Sequence, residues 1–265
     1  MMRIVHISDL HFGRERPALV AALVPQIEAL APDLVVVSGD LTQRARRREL
    51  EAAAAFLARL PSPLLVVPGN HDIPGVDPRR FLKPWQGWHG HFADGLEPSI
   101  ETADVIAVGA NTVRRAGPYL DWSRGRFAPR QIERLVARLT RNEGDDGRLR
   151  ILAAHHPLLL TPAGAHRGFV GRRELALRRF AAAGLDLALG GHVHLGYVGV
   201  VQGIVVSHAG TAVSTRLLSQ PNGFNLIVGD RHALGIEHWG WADDAFVTAT
   251  RTEFRRGIDG WRPAP

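Results

Sequence analysis

Short apolar runs alternate with helix-like segments through the first half of the sequence, and this alternation constrains the fold more than any other feature. Each run is rich in Val, Ile or Leu and ends at a glycine, a proline or a polar cluster, as buried strands do. The runs are Arg3–Ser8, Asp33–Ser38 and Pro63–Pro68, and the helix-like segments between them are Pro17–Ala31 and Arg46–Leu60. Strands separated by helices predict an α/β fold with a parallel sheet. Pro25 predicts that the first helix is kinked or shortened, because proline cannot donate the helical hydrogen bond.

The second half of the sequence continues the alternation and then changes to hairpins. The predicted strands are Asp104–Ala110, Arg150–His155 and Leu185–Gly190, with helices near Pro129–Asn142 and Gly171–Ala183. After Gly191, apolar runs pair about short turns such as that at Gln202 and Gly203, which is typical of antiparallel strands. The stretch 73–98 is rich in Pro, Gly, Trp and His, and it is predicted to be one long irregular insertion.

Length and composition favour a single domain spanning residues 1–265. A chain of 265 residues, of which 45% are hydrophobic, can bury a large core. No stretch approaches the roughly 18 consecutive apolar residues of a membrane-spanning helix. The first residues, MMRIVHISDLH, are polar where a signal peptide would need its apolar segment. We therefore expect a cytoplasmic protein without a membrane span.

The absence of cysteine and the basic charge limit the possible ligands and partners. Without cysteine there is no thiolate metal site, so a metal must be held by His, Asp, Glu or Asn. The net charge of +6 is consistent with an anionic partner. The arginines are nevertheless spread with alanine through helix-like segments, and no basic patch is interleaved with aromatic residues, so a dedicated nucleic-acid partner is not expected. A homo-oligomer is compatible with the sequence.

Polar clusters follow five of the predicted strands. In chain order they are Asp9 and His11, then Asp40, then Asn70, His71 and Asp72, then His155 and His156, and finally His192 and His194. Because the carboxyl ends of strands in an α/β sheet line one crevice, we expect these side chains to converge. Such a group of imidazoles and carboxylates would be costly to bury without a cation. The flanking Gly39, Gly69 and Gly191 are predicted to let the backbone leave the strand pleat there.

In this order, the motifs D-x-H, GD, GNHD, a strand-end His and GH-x-H resemble those of the calcineurin-like metallophosphoesterase superfamily, over residues 4 to about 215. The resemblance implies a four-layer α-β-β-α sandwich and a binuclear metal centre. It implies a first metal ion held by Asp9, His11, Asp40 and His194, and a second held by Asp40, Asn70, His155 and His192. His155 is chosen over His156 because the family pattern H-x-P fits His155 and Pro157.

The resemblance also implies roles for the remaining motif residues. A hydroxide that bridges the two metals would attack phosphorus, and His71 would protonate the leaving alkoxide as general acid. Asp72 would hold and polarise His71. His, Asn and carboxylate ligands suit two divalent or mixed-valence ions of Mn, Fe, Zn or Co, and they do not decide among these metals.

Departures from the family motifs narrow the substrate class. The stretches GDLTQR and GNHD differ from the GD-x-VDRG and GNHE of Ser/Thr protein phosphatases, and lipid A precursor pyrophosphatases have Arg where His71 stands. The sequence is most similar to small bacterial class III cyclic-nucleotide and glycerophosphodiester phosphodiesterases. We therefore predict hydrolysis of a small-molecule phosphodiester. The alternatives are a phosphomonoesterase or nucleotide pyrophosphatase on the same site, and a non-catalytic metal-binding scaffold.

The insertion at 73–98 begins directly after the GNHD motif and therefore beside the predicted metals. Its Trp85 and Trp88 either stack on the substrate or anchor the insertion to the domain, and the sequence leaves both interpretations open. Arg44 and Arg167 are candidates for phosphate contacts, since a guanidinium binds phosphate in a bidentate manner.

Overall fold

The computed structural model describes residues 1–75, 77–116, 121, 123–141 and 147–265. Its strands are β1 (Met2–Ile7), β2 (Leu34–Ser38), β3 (Leu64–Val67), β4 (Ser99–Glu101), β5 (Val105–Ala110), β6 (Leu149–Ala154), β7 (Leu187–Gly190), β8 (Tyr197–Val201), β9 (Ile204–His208), β10 (Gly223–Gly229), β11 (Ala233–Ala242), β12 (Ala245–Gly257) and β13 (Gly260–Pro263). Its α-helices are α1 (Pro17–Ala29), α2 (Arg47–Leu57), α3 (Pro78–Leu82), α4 (Gln86–His89), α5 (Pro129–Leu139) and α6 (Arg173–Ala182), and Pro162–Arg167 form a 3₁₀ helix.

Two stacked sheets form the centre of the fold. The first has the strand order β13-β12-β11-β10-β1-β2-β3, and the second has the order β4-β5-β6-β7-β9-β8. In the first sheet β1, β2 and β3 are parallel, and β10 to β13 extend it as an antiparallel meander. In the second sheet β5, β6, β7 and β9 are parallel. The strands that carry the polar clusters are therefore the parallel ones of both sheets.

The hydrophobic core consists of three layers of side chains. Between the sheets, Ile4 and Leu34 of the first sheet pack against residues such as Ile151 of the second. The outer face of the first sheet is covered by helices α1 and α2, and the outer face of the second by α5 and α6. Because side chains alternate along a strand, Ile4 of β1 lies in the middle layer and the next residue, Val5, in the outer layer. This arrangement confirms the predicted four-layer α-β-β-α sandwich.

The structure refines two local predictions. Helix α1 contains Pro25 in its interior and ends at Ala29, two residues before the predicted end. The stretch 73–98 is not irregular throughout, because it forms the short helices α3 and α4. Trp88 on α4 is 1% exposed, donates from its ring nitrogen to the carbonyl of Gly95 across 2.8 Å, and packs on Phe92. Trp88 is thus an anchor of this segment, and the interpretation that it stacks on a substrate is wrong.

Within the described part of the chain, no helix combines the length and the apolar character needed to cross a membrane. The cytoplasmic location stays a prediction.

Candidate metal centre

The segments that follow β1, β2, β6 and β7 are joined by backbone hydrogen bonds. The amide of Asp9 donates to the carbonyl of Gly39, and the amide of Gly191 donates to the carbonyl of His155. The first of these bonds joins two segments of the first sheet. His155 follows β6 of the second sheet, and its Nδ1 donates to the carbonyl of Ser38 in the first sheet across 2.8 Å. The carboxyl ends of both sheets therefore meet at one edge of the sandwich, as expected for parallel strands.

One cluster of buried donors consists of Asp9, His11, Asp40 and His194, whose ligand atoms all lie within 4.8 Å of one another. Nε2 of His194 is 3.4 Å from Oδ1 of Asp9 and 3.4 Å from Nε2 of His11. Nε2 of His11 is 3.6 Å from Oδ2 of Asp40. These four residues are the ligands that the family resemblance implies for the first metal.

Asp40 connects this cluster to a second one. Its Oδ2 atom, which faces His11, is also 3.3 Å from Nε2 of His155. The ring of His192 lies edge-on to that of His155, and its Nδ1 is 3.0 Å from Oδ1 of Asn70. The structure thus brings the residues implied for the second metal next to the first set, with one carboxylate oxygen between the two.

Left-handed backbone conformations aim the ligands into the site. Asp9, His11, Asp40, His192 and His194 have φ angles of 54°, 48°, 52°, 69° and 61°. For a residue with a Cβ atom this region costs on the order of 1–2 kcal/mol each. Two residues in one D-x-H or H-x-H motif can point the same way because the strand pleat has ended. The ligand residues themselves therefore make the turn that the sequence analysis assigned to flanking glycines.

Two of the three flanking glycines have a different role from the predicted one. Of the three, only Gly39 has a positive φ, at +94°. A Cβ atom at Gly69 would lie 2.2 Å from Oδ1 of Asp40, and one at Gly191 would lie 2.5 Å from Oδ2 of Asp9. Gly69 and Gly191 are thus needed for the close approach of the ligand carboxylates rather than for an unusual backbone conformation.

The hydrogen bonds of the histidines fit a cation between them. Nδ1 of His155 donates to a carbonyl, and Nδ1 of His194 donates to the carbonyl of Arg216 across 2.6 Å, so Nε2 of each ring faces the carboxylates of the site. Buried atoms without a hydrogen-bond partner among the described residues include Oδ1 of Asp9 and Nε2 of His155. Lone pairs that face one another in a buried site are stabilised by a metal ion. The donor set of imidazole and carboxylate suits transition metals such as Mn, Fe, Co and Zn.

The electrostatics of the site are those of opposite charges held together away from water. Burial by itself would raise the pKa of Asp40, but the nearby histidines outweigh it and hold the pKa well below its usual range. Burial would lower the pKa of His155, yet the attraction of Asp40 raises it to about 9. Both carboxylates, Asp9 and Asp40, are therefore ionised at neutral pH.

His156 lies beside the second cluster, with its ring 4.8 Å from that of His192. Its two nitrogens already have partners, since Nδ1 is 2.7 Å from the hydroxyl of Thr112 and Nε2 is 2.7 Å from the carbonyl of Ser123. Burial and the neighbouring His155 lower the pKa of His156 to about 3, so its ring is neutral. These contacts favour the choice of His155 as the ligand.

His71 lies at the rim of the first cluster, with its ring 4.9 Å from that of His11 and edge-on to it. Its Nδ1 donates to the carbonyl of Gln43 across 2.7 Å. Its Nε2 accepts a hydrogen bond from the guanidinium of Arg216 across 2.9 Å. Both nitrogens of the imidazole are therefore engaged in hydrogen bonds.

The prediction that Asp72 holds and polarises His71 is wrong. The carboxylate of Asp72 is buried and accepts hydrogen bonds from the backbone amides of Leu41, Thr42 and Gly69 and from the hydroxyl of Thr42. Burial and the nearby Asp40 raise the pKa of Asp72 to about 6 although these hydrogen bonds oppose the shift. Asp72 thus fastens the loop after β3 to the loop after β2, and it positions His71 only through the backbone.

Sequence reasoning did not identify Arg216, Gln43 or Thr211. Arg216 touches His71 with its side chain and His194 with its carbonyl, and Thr211 also contacts Nδ1 of His194. These residues lie in loops without a motif, so no local pattern could have singled them out. Of the two arginines considered for phosphate contacts, Arg44 lines the cavity next to the site and Arg167 does not.

A cavity of about 980 Å³ opens next to these clusters. Asn70, His71 and Asp72 form one wall, and the residues that precede and begin α2 form another. The remaining lining comes from described residues of the segment 73–91, which includes α3, and from Ser123. The candidate metal centre is therefore accessible from a space large enough for an organic molecule.

The comparisons with known sequences agree with the geometry of the site. The family model of the calcineurin-like phosphoesterases matches residues 2–196. The glycerophosphodiester phosphodiesterase GpdQ of Enterobacter lignolyticus is 40% identical over 82 residues, which cover 27% of this chain and 30% of that protein. The UDP-2,3-diacylglucosamine pyrophosphatase LpxG of Chlamydia trachomatis is 39% identical over 137 residues, which cover 42% of each chain. The alignments thus span less than half the length of both relatives.

Among solved structures, the purple acid phosphatase PPD1 from yellow lupin seeds superposes with a TM-score of 0.70 at 16% sequence identity. The match covers 94% of this chain and 53% of the lupin chain. At this identity the likeness shows a common fold.

Proposed function

Because the chain belongs to the calcineurin-like phosphoesterase family, we propose that it is a binuclear metal-dependent phosphodiesterase. The observation that carries the proposal is the position of Asp40, whose Oδ2 lies 3.6 Å from Nε2 of His11 and 3.3 Å from Nε2 of His155. A carboxylate between two clusters of metal-ligating side chains suits a ligand shared by two ions.

Each ion would have four ligands from the chain. Asp9, His11, Asp40 and His194 would hold the first, and Asp40, Asn70, His155 and His192 the second. When bound, the two ions would activate water for attack on phosphorus and stabilise the charge on the phosphoryl oxygens. Ser38 and Arg216 support this function by accepting the Nδ1 protons of His155 and His194, which directs the Nε2 lone pairs into the site.

His71 is proposed to donate a proton to the leaving alkoxide. Its ring is fixed by the hydrogen bond to Gln43, and its Nε2 atom faces the mouth of the site. Nε2 can carry that proton only after Arg216 has released it. A phosphate oxygen is a better acceptor for a guanidinium than an imidazole nitrogen is, so a bound phosphodiester would attract Arg216 and free Nε2.

A diester substrate is supported by the relatives, one named for glycerophosphodiesters and the other for a UDP-sugar pyrophosphate. The second name supports a diphosphate diester as the alternative substrate class. In both classes the phosphorus carries two ester or anhydride substituents. The alkoxide that leaves from a phosphodiester needs a proton, which His71 would supply, whereas the phosphate that leaves from a diphosphate diester does not.

The test is to reconstitute the purified chain with Mn²⁺, Fe²⁺, Co²⁺ and Zn²⁺ in turn and to assay phosphodiesters, phosphomonoesters and UDP-sugars. We expect metal-dependent turnover that is highest on a diester. Highest turnover on UDP-sugars would favour the alternative, and highest turnover on monoesters would contradict both. Metal binding without turnover on any compound would indicate the non-catalytic scaffold.

A further inference from the structure

The cavity of about 980 Å³ beside His71 is strongly basic, and this charge indicates more than one phosphate on the ligand. We propose that the cavity selects phosphodiesters whose organic part carries a second phosphate group. This inference rests on the proposed function, because it takes the scissile phosphate to lie at the metal centre.

The described residues that line the cavity include six basic and two acidic side chains. The basic ones are Arg44, Arg46, Arg47, Arg79, Arg80 and Lys83, and the acidic ones are Asp72 and Asp77. Neither carboxylate is available to neutralise the other basic side chains of the lining. Asp72 is occupied by backbone amides, and Asp77 pairs with Arg79 at 2.7 Å. The lining therefore keeps an excess of positive charge.

Three of these cations are free to bind a ligand. Arg47 already pairs with Glu51 at 2.7 Å. The side chains of Arg44, Arg46 and Lys83 have no ion pair or hydrogen bond with any described residue, and all three are exposed to the cavity solvent. Unpaired guanidinium groups are the preferred partners of phosphate, because they offer parallel N–H donors to two of its oxygens.

The position of these cations places the second phosphate away from the first. Arg44 directly follows Gln43, whose carbonyl accepts the hydrogen bond from His71, so this wall of the cavity starts at the reaction site. Arg46 lies directly before the first turn of α2, and Lys83 directly follows α3, so the cations come from two different segments of the lining. Apolar side chains such as Leu50 and Ile73 also contribute to the lining. The cavity can thus hold an organic group with phosphates at two ends.

The lining argues against a nucleic-acid strand as the occupant. None of the described residues that line the cavity is Phe, Tyr or Trp, whereas proteins that bind single-stranded nucleic acid stack successive bases on such rings. Trp88 of α4 is buried in the core, and Trp85 is not among the lining residues. A compact molecule with two phosphates agrees better with basic side chains that are grouped around one cavity.

The experiment compares two ligands that differ by one phosphate. Thymidine 3′,5′-bisphosphate and thymidine 5′-monophosphate are titrated by calorimetry into the Mn²⁺-loaded chain at fixed ionic strength. The variants are Arg44→Gln, Arg46→Gln and Lys83→Gln, with Arg48→Gln as the matched control. Arg48 is an exposed arginine of α2 that does not line the cavity, so its replacement removes the same charge elsewhere. Melting temperatures verify that each variant is folded.

We expect the wild-type chain to bind the bisphosphate at least about tenfold more tightly than the monophosphate, as one added charge-assisted contact predicts. Arg44→Gln and Lys83→Gln should lower this preference to about threefold or less, and Arg48→Gln should leave it unchanged. Equal binding of the two ligands by the wild-type chain would overturn the inference. If Arg48→Gln lowered the preference for the bisphosphate as much as Arg44→Gln does, the inference would also be overturned, because the effect would then come from net charge.

A separate measurement distinguishes failure of this inference from failure of the proposed function. The same preparations are assayed for hydrolysis of bis(p-nitrophenyl) phosphate, which carries no second phosphate. Turnover of this diester without a preference for the bisphosphate would refute the inference and leave the proposed function standing. A preference for the bisphosphate without any turnover would support the cavity as a binding site and count against the phosphodiesterase.

Discussion

The guanidinium of Arg216 donates a hydrogen bond from Nη1 to Nε2 of His71 across 2.9 Å. The carbonyl of the same arginine accepts a hydrogen bond from Nδ1 of His194 across 2.6 Å. One residue therefore contacts a proposed metal ligand through its backbone and the proposed proton donor through its side chain. Substitution of the side chain can separate the two roles, since the backbone carbonyl remains.

Arg216→Gln should lower kcat/KM for a phosphodiester by about 10- to 100-fold while leaving the metal content unchanged. The reason is that glutamine keeps the backbone contact with His194 but cannot bind phosphate through a guanidinium. Steady-state kinetics and elemental analysis measure the two effects. Partial recovery is expected with Arg216→Lys, which retains the charge. A loss of bound metal in Arg216→Gln would contradict this separation of roles.

His71→Ala should retain the metals and lower turnover of poor leaving groups by roughly 10²–10⁴-fold, the usual contribution of a positioned acid or base. The loss should be smaller for p-nitrophenyl esters, because p-nitrophenolate departs without a proton. The measurement compares alkyl and p-nitrophenyl diesters in both proteins. An equal loss on both leaving groups would show that His71 is not a proton donor.

Asp40→Ala should remove most of the bound metal and abolish activity, because its carboxylate faces both clusters. Asp9→Ala, which removes a carboxylate from the first cluster alone, should leave more metal bound. Elemental analysis of each variant gives the metal content per chain. Asp77→Ala serves as the control, since Asp77 is a carboxylate outside both clusters. Wild-type protein that is active with well under one metal ion per chain would refute the binuclear mechanism.

The chain should lose stability as the pH falls below about 6.5, the usual pKa of an unfolded histidine. Burial lowers the pKa of His6 to about 3 and that of His208 to about 4. Between these values and 6.5 the unfolded chain binds more protons, so the free energy of unfolding decreases with decreasing pH by up to about 1.4 kcal/mol per pH unit for each histidine.

Urea denaturation of the metal-free chain from pH 7.5 to pH 4.5 tests this acid sensitivity. His6→Gln should flatten the dependence, because the variant no longer buries a titratable ring at that position. His232→Gln, which replaces an exposed histidine, should follow the wild-type curve. Identical slopes for wild type and His6→Gln would exclude His6 as a source of the acid sensitivity.

Trp88→Ala should lower the free energy of unfolding by about 3–5 kcal/mol, the usual cost of removing a buried aromatic ring. Trp88 contacts Phe92 and donates to the carbonyl of Gly95, so its loss also removes the hydrogen bond to that carbonyl. Calorimetry should show a lower Tm, and the fraction that remains folded at low temperature should keep its relative activities on different diesters. A change in those relative activities at unchanged Tm would restore a role in selecting the substrate.

The sequence predicted the features that depend on local patterns. Apolar runs that end in polar clusters identified β1, β2 and β3, and the motifs located every residue that the structure brings into the two clusters. Long-range contacts could not be predicted in this way. Nδ1 of His71 donates to the carbonyl of Gln43, 28 positions away. The carboxylate of Asp72 accepts hydrogen bonds from the amides of Leu41 and Thr42 instead. Such pairings depend on how two loops meet after folding.

Backbone strain is another feature that residue types do not reveal. The glycines beside the motifs suggested where the chain turns, but of these only Gly39 has a positive φ, and the other left-handed conformations are at Asp9, His11, Asp40, His192 and His194. Gly69 and Gly191 are required by the space that neighbouring carboxylates occupy. This could be recognised only from the contacts between β1, β2, β3 and β7.

The left-handed conformations of the ligand residues have a consequence for metal exchange. Folding of the chain already supplies the free energy that these conformations require. A metal ion therefore binds to a backbone whose shape is set, and one ion can replace another without backbone rearrangement. The supply of metals in the surroundings, more than any induced movement, would then determine which ion the chain carries. Preparations of one folded protein from media of different metal content should accordingly differ in bound ions and share one backbone.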